Sequence, residues 1–306
     1  MRRRDDMLWK SVLDEVFEDL IEFFFPRARK VYDMKRGVEF LDKEFPEIYP
    51  EQSNGAGTRY VDKLVKIYRK GRRGYIILHI EVQGKNQRGF GKRMFTYYYR
   101  ILDRYGGPVT GLSIFTGPMG RNVPGRYVCR EEGSELSYKF NTLCVKDYDD
   151  RVLAKSNNAF ALVLLIAKSI FLKGEDADEK LLRRKIFIAK LLFQKKFDKR
   201  RRNAILTFLN NYIQFEDPQK QKIFMKPIHI PFSKKKNAVG IFKALEEWNL
   251  QEGLRKGERK GQQQERRRIV KRLLENKRRS AKEIAAIVGV SVAFVENVRG
   301  RKKRAI

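Results

Sequence analysis

Two β-rich runs, Arg59–Tyr68 and Tyr75–Gln83, flank the polar, glycine-containing segment Lys70-Gly71-Arg72-Arg73-Gly74. Such a pair of runs closed by a short glycine loop predicts an antiparallel hairpin. A hairpin limits which residues can meet, because directly opposed residues share a constant index sum. Asp62 and Glu81 centre on about 71.5 and the loop on 72, so the two carboxylates fall opposite one another to within about one residue. Their Cβ atoms would then lie about 5 Å apart. Carboxylates that close repel unless a cation sits between them, and Mg²⁺ favours such oxygen ligands while keeping positions for water and phosphate. Gln83, two residues beyond Glu81, projects from the same face and could orient a water or hold a phosphate oxygen. Asp62, Glu81 and Gln83 with a metal would suit phosphodiester hydrolysis. Spacing alone favours a plainer arrangement, in which Asp62 pairs with Lys63 or Lys66 and Glu81 merely ends a strand.

Around the hairpin, Leu8–Phe25 has helical apolar spacing and stops at Pro26, which disfavours helical geometry in the residue before it. Gly91–Tyr105 is a helix pattern broken by Gly106-Gly107-Pro108. Val109–Thr116 reads as a strand, and Tyr127–Val145 as one or two more. Beyond Asp149 the texture is helical: Asn157–Lys173, Glu179–Lys195, Arg200–Tyr212 and, after Pro227–Pro231, Ala238–Leu250. This order predicts an α/β or α+β core with a helical extension.

Charge divides the chain in the same places. Residues 1–150 carry 28 Lys and Arg against 22 Asp and Glu, residues 151–250 carry 22 against 9, and residues 251–306 carry 18 against 6. We therefore expect a core domain over 1–150, a basic helical extension over 151–250, a charged glycine-repeat linker or helix over 251–264 and a basic tail over 265–306. With 42% hydrophobic residues the chain can fold, so its net charge of +31 points to a polyanionic partner, nucleic acid first. Two cysteines, Cys129 and Cys144, make neither a disulfide framework nor a cysteine-rich zinc site. The longest apolar run, Ala159–Ala167, is too short for a bilayer, and no apolar segment follows the N-terminal arginines as a signal peptide would. A cytoplasmic protein without membrane contact is expected.

Tyr60-Val61-Asp62, the hairpin and Tyr75 through Gln83 resemble the core of the recombination-promoting nuclease family, transposase-like members of the PD-(D/E)xK nuclease superfamily. Arg93-Met94-Phe95-Thr96-Tyr97, Ile114-Phe115-Thr116-Gly117 and Asn158-Ala159-Phe160-Ala161-Leu162 continue the resemblance in order, as do Trp9-Lys10 and Phe25-Pro26 at the first helix. The resemblance implies a restriction-endonuclease-like core with a mixed sheet and Mg²⁺- or Mn²⁺-dependent DNA cleavage. It assigns Asp62, Glu81 and the Val82 carbonyl to the metal and Gln83 to the third motif position. Val61 stands where the superfamily has proline. Gln83 replaces its lysine, a charge Lys63 or Lys85 could supply. The superfamily often adds an acid from the first helix, where Glu15, Glu18 and Glu22 share one face.

Near the C-terminus, Ser280-Ala281-Lys282-Glu283 is a capping box. Ile284, Ala285 and Val288, then Gly289, then Val295 and Val298 follow a helix-turn-helix pattern, with Ile269, Leu273 and Leu274 as a support helix. A helical pair serving only packing or oligomerisation fits equally well. Glu296 and Asn297 could face base edges, and Arg299, Arg301, Lys302, Lys303 and Arg304 could face phosphates. His79 suits packing more than ligation, His229 suits a loop, and the Phe95–Tyr99 aromatics suit a core more than base stacking. The sequence thus leads to a Mg²⁺-dependent DNA endonuclease, linked to recombination or mobile elements. The alternative is a non-catalytic DNA-binding protein acting through its basic C-terminal region. A positive groove does not distinguish DNA from RNA, and oligomeric state, a dimer included, is left open.

Overall fold

The computed structural model describes residues 3–42, 61–71, 74–84, 88–118, 123–225, 254, 257–258, 261–275 and 279–302. The chain divides into two compact units, 1–226 and 227–306, so the helices just after residue 150 belong with the sheet. No described helix is long and apolar enough to cross a membrane.

The first unit opens with α1 (Arg3–Glu15), α2 (Phe17–Phe24) and α3 (Ala28–Val31). One continuous helix over 8–25 was expected. Instead Val16 leaves helical geometry (φ −110°, ψ 20°), while its N–H still donates to the Val12 carbonyl at 3.1 Å. The helix kinks there, so that both halves follow the core. Phe25 before Pro26 is extended, as the proline requires.

Strands β1 (Val38–Phe40), β2 (Val61–Tyr68) and β3 (Tyr75–Gln83) form an antiparallel meander. Helix α4 (Phe90–Tyr105) then crosses over to β4 (Val109–Phe115), which runs parallel to β3. The region after β4 yields three strands rather than one or two. β5 (Arg126–Glu131) and β6 (Ser134–Lys139) make a separate ribbon, and β7 (Asn141–Cys144) pairs parallel with β4. The result is a mixed five-stranded sheet, ordered β1-β2-β3-β4-β7.

β3 is central, and it shows in its composition: every residue from Ile76 to Gln83 is buried. One sheet face meets α4 through Leu64, Ile77, Tyr97 and Ile101. Close packing along α4 also requires Gly111 on β4, where an added Cβ would fall 2.6 Å from the Tyr138 hydroxyl. The opposite face meets α1, where Lys63 of β2 reaches Asp14.

Helices α5 (Asp150–Lys155), α6 (Ala159–Ala167), α7 (Ala177–Gln194), α8 (Lys199–Asn211) and α9 (Pro218–Met225) complete this unit. α6 is buried all round, which its uninterrupted apolar sequence demands. Asn158 caps its first turn and donates from its amide to the Asp19 carbonyl, while the Asp19 carboxylate accepts the Ala159 N–H at 2.9 Å. Burial pushes the Asp19 carboxyl up, against that hydrogen bond and against Arg201. α8 closes over α1, with Phe208 and Tyr212 edge-on to Trp9.

The second unit contains α10 (261–275), α11 (Ala281–Val288) and α12 (Val292–Lys302). The expected capping box forms between Ser280 and Glu283, and Gly289 takes the left-handed conformation (φ 66°) that ends α11. Val270, Ile284, Ala285, Val295 and Val298 make the core. Val270, rather than Ile269, is the α10 residue buried with Leu273 and Leu274 alongside; Ile269 is exposed.

Candidate active site

β2 and β3 pair in the register expected from their loop, with Asp62 opposite Glu81, Leu64 opposite His79 and Tyr68 opposite Tyr75. For Asp62 this is a backbone position; its side chain lies outside the described residues. Glu81 and Gln83 are set at the C-terminal end of β3, beside Ser113 and Phe115 of β4. Crevices for ligands form at such ends of parallel strands. The Gln83 carbonyl accepts the Thr116 N–H at 2.8 Å on the β4 side. Alternation along the strand therefore turns the Val82 carbonyl towards β2, where Val61 is its register partner.

Glu81 and Gln83 are both 0% exposed. A charge or amide so placed costs stability unless matched. For Glu81 the match is Arg93 on the first turn of α4, whose Nη2 lies 3.2 Å from Oε2. The other oxygen, Oε1, has the His79 Nε2 at 3.7 Å, too long for a hydrogen bond. Burial pushes the His79 imidazole down to about 4, with Glu81 opposing and Arg93 adding to the effect, so the ring is neutral at pH 7. Its edge packs against Tyr97, as a packing histidine would.

Gln83 is poorly satisfied. Both Nε2 and Oε1 are buried without a hydrogen-bond partner among the described residues, and Glu81 Oε1 shares that state. Leaving a buried amide unmatched costs about 1–3 kcal/mol. Orphaned atoms on one face, beside a second carboxylate position at Asp62, are what a divalent cation with its waters or a phosphate would satisfy. Hard oxygen donors of this kind suit Mg²⁺ or Mn²⁺ better than zinc. Among the described residues no group of three or more His, Cys, Asp or Glu side chains is placed to hold a metal. A cation would thus rely on Glu81, the Asp62 position and the Val82 carbonyl.

The remaining candidates are spread widely. Lys63 is turned to the opposite face, buried between Asp14 and Asp42 at 2.5 and 2.7 Å, and Lys66 pairs with Glu39 at 3.1 Å. Neither is committed to Glu81, and Lys85 lies outside the described residues. The three first-helix acids are engaged elsewhere: Glu15 with Arg200, Glu18 with Arg201 and Glu22 with Arg29. Phe95 stacks on Tyr127 at 5.4 Å and contacts Tyr138, so that aromatic cluster packs the α4–ribbon junction.

In the second unit Glu296 and Asn297 are exposed, and Arg299 lies 3.0 Å from Glu296. The side chains of Arg301 and Lys302, and all of Lys303, Arg304 and His229, lie outside the described residues. The residue that sequence reasoning left without a role is Arg93. Its signal was present: a cation one helical turn before Tyr97, at the start of the helix that crosses over directly from the Glu81 strand. No family model, curated protein or solved structure matches the chain.

Proposed function

We propose that the chain is a divalent-metal-dependent nuclease that hydrolyses phosphodiester bonds in DNA. The observation that carries this is the pair of fully buried, incompletely satisfied side chains Glu81 and Gln83 on one face, set across the hairpin from Asp62. Asp62, Glu81 and the Val82 carbonyl would hold Mg²⁺ or Mn²⁺. The bound cation would neutralise phosphate charge and make water a nucleophile at neutral pH. Gln83, an amide, can neither carry charge nor act as a base, so its part is to orient the attacking water or a phosphate oxygen by hydrogen bonds. Arg93 holds the Glu81 carboxylate in position through its 3.2 Å contact to Oε2. A net charge of +31 supports a nucleic-acid substrate, drawn in by its backbone. The resemblance to the recombination-promoting nucleases supports the same chemistry and a setting in recombination or mobile elements.

The assay is nicking of supercoiled plasmid in Mg²⁺ or Mn²⁺ by wild type, Asp62→Ala and Glu81→Ala. Cleavage by wild type alone is expected; equal nicking by all three would sink the assignment. The Arg93–Glu81 pair, a cation supplied without metal, is the observation that favours the alternative of a non-catalytic DNA-binding protein. That alternative requires binding to vanish on deletion of 265–306 while Asp62→Ala has no measurable effect. Competition by duplex RNA separates the two nucleic acids.

A further inference from the structure

The second unit uses little of α10 for its core. Val270 is buried and Leu273 and Leu274 are half-buried, whereas every residue from 261 to 269 is exposed, as are Lys271 and Arg272. This outer surface carries Arg266, Arg267, Arg268, Lys271 and Arg272 against Glu265 and Glu275. A helix that needs only a narrow stripe for packing can carry any residues on its remaining faces, so five cations there are not a by-product of folding.

Part of that surface forms one wall of a cleft, lined by Gln264, Arg267, Arg268 and Lys271, with Asn297 and Val298 of α12 opposite. Among the described residues no carboxylate lines it. Gln264, Arg267 or Arg268, and Lys271 succeed one another at helical spacing, each about 5.4 Å further along the axis. The Arg267 guanidinium is held 5.9 Å above the Phe294 ring, which limits its rotamers. Arg268 makes a long ion pair, 4.0 Å, to Glu265.

The two helices therefore differ from the expected division of labour. The outer side of α12 offers Val292, Ala293 and Gly300, with Glu296 and Arg299 neutralising each other at 3.0 Å. A carboxylate there repels phosphate, and small apolar residues give bases few hydrogen bonds. Exposed cations spaced along one helix do not suit a single small anion. They suit a linear polyanion with regularly repeated charge. Asn297 across the cleft adds an amide that can donate to phosphate and accept from a base or sugar.

We infer that the cleft between α10 and α12 is a sequence-independent binding track for a nucleic-acid backbone, with Arg267, Arg268 and Lys271 as its phosphate contacts and Asn297 as its opposite wall. The track shares with the nuclease proposal only its ligand, duplex DNA. Each phosphate contact contributes about 0.9 to the dependence of log K on log salt.

The test uses the full chain with EDTA, so that cleavage cannot interfere, and a fluorescent DNA duplex titrated over a salt series. The double substitution Arg267→Gln with Lys271→Gln is expected to lower the salt slope by about 2, and Arg267→Lys to leave it nearly intact. An unchanged slope in the double variant overturns the inference, as does preferential capture of polyglutamate over duplex DNA by the wild type. Equal competition by duplex RNA would overturn the choice of DNA. Thermal melts followed by far-ultraviolet circular dichroism guard against misfolding. Failure of nicking with a reduced slope would refute the nuclease and leave the track standing.

Discussion

Lys63 is the residue whose loss separates structure from chemistry most cleanly. It sits on β2 next to Asp62, only 1% exposed, with Nζ between the Asp14 carboxylate of α1 and the Asp42 carboxylate after β1. Asp42 also accepts the Leu64 N–H at 2.9 Å, and the Phe40 ring lies 4.7 Å from Nζ. One ammonium thus ties a helix and a chain turn to the strand. Breaking a buried ion pair by removing one partner costs about 3–5 kcal/mol. Here Asp14 and Asp42 remain 44% and 28% exposed, so they rehydrate in part and the cost falls to about 2–3 kcal/mol. Lys63→Met fills nearly the same volume and isolates that electrostatic loss. Lys63→Ala adds an unfilled space and should cost about 2 kcal/mol more.

Urea unfolding of the first unit can be followed through Trp9, which is fully buried, in a Trp248→Phe background. Adding Asp14→Asn and Asp42→Asn to Lys63→Met should recover at least half the loss. The structural account is refuted if Lys63→Met shifts stability by less than about 0.5 kcal/mol, within the range of an ordinary surface change. It also fails if the variant stays stable but loses nicking, because Lys63 would then be supplying the site's missing lysine.

Two further predictions concern buried cations. Arg93→Met should destabilise the metal-free protein by about 3 kcal/mol, because Glu81 is left buried and unpaired. Mn²⁺ should then raise the melting temperature of the variant more than that of wild type, and equal rises would contradict a shared cation site at Glu81. Lys185, buried beneath Phe215 and Phe224 with ring centroids 4.8 and 5.3 Å away, is pushed down to about 8 by burial, with Asp178 opposing. The folded state therefore holds fewer protons than the unfolded state between about pH 8 and 10.5. On that account, stability from this group should rise across the window by up to about 3 kcal/mol. Lys185→Met should stabilise the protein at pH 7 and flatten the profile; a flat wild-type profile would refute the assignment.

The hairpin register was legible because a loop of known length fixes every opposed pair at once, from Tyr68 and Tyr75 outwards to Asp62 and Glu81. The turn of the small unit was legible for a similar reason, since Ser280, Glu283 and Gly289 act on their own backbone. What could not be read depends on residues far away. Glu15, Glu18 and Glu22 share a helical face in any sequence plot, yet what occupies Glu15 and Glu18 is decided by Arg200 and Arg201 of α8. The choice of Val270 over Ile269 turns on how α10 is rotated against α11 and α12, which adjacent aliphatic residues cannot reveal. Arg93 was missed because one arginine among the four Lys and Arg residues of an amphipathic helix looks like solvent-facing charge until the strand beneath it is placed.

The kink at Val16 and the closure of α8 over α1 also set the order in which this protein can be made. Arg200 meets Glu15 across 185 positions of sequence, and Trp9 finds Phe208 and Tyr212 only then. The strands leave the ribosome long before that partner exists. Until residue 212 has emerged, the apolar side of α1 and the whole of α6 have no complete cover. Contacts this distant slow folding and prolong the exposure of adhesive surface. The same late closure that completes the core leaves that apolar surface open in the nascent chain until α8 has formed.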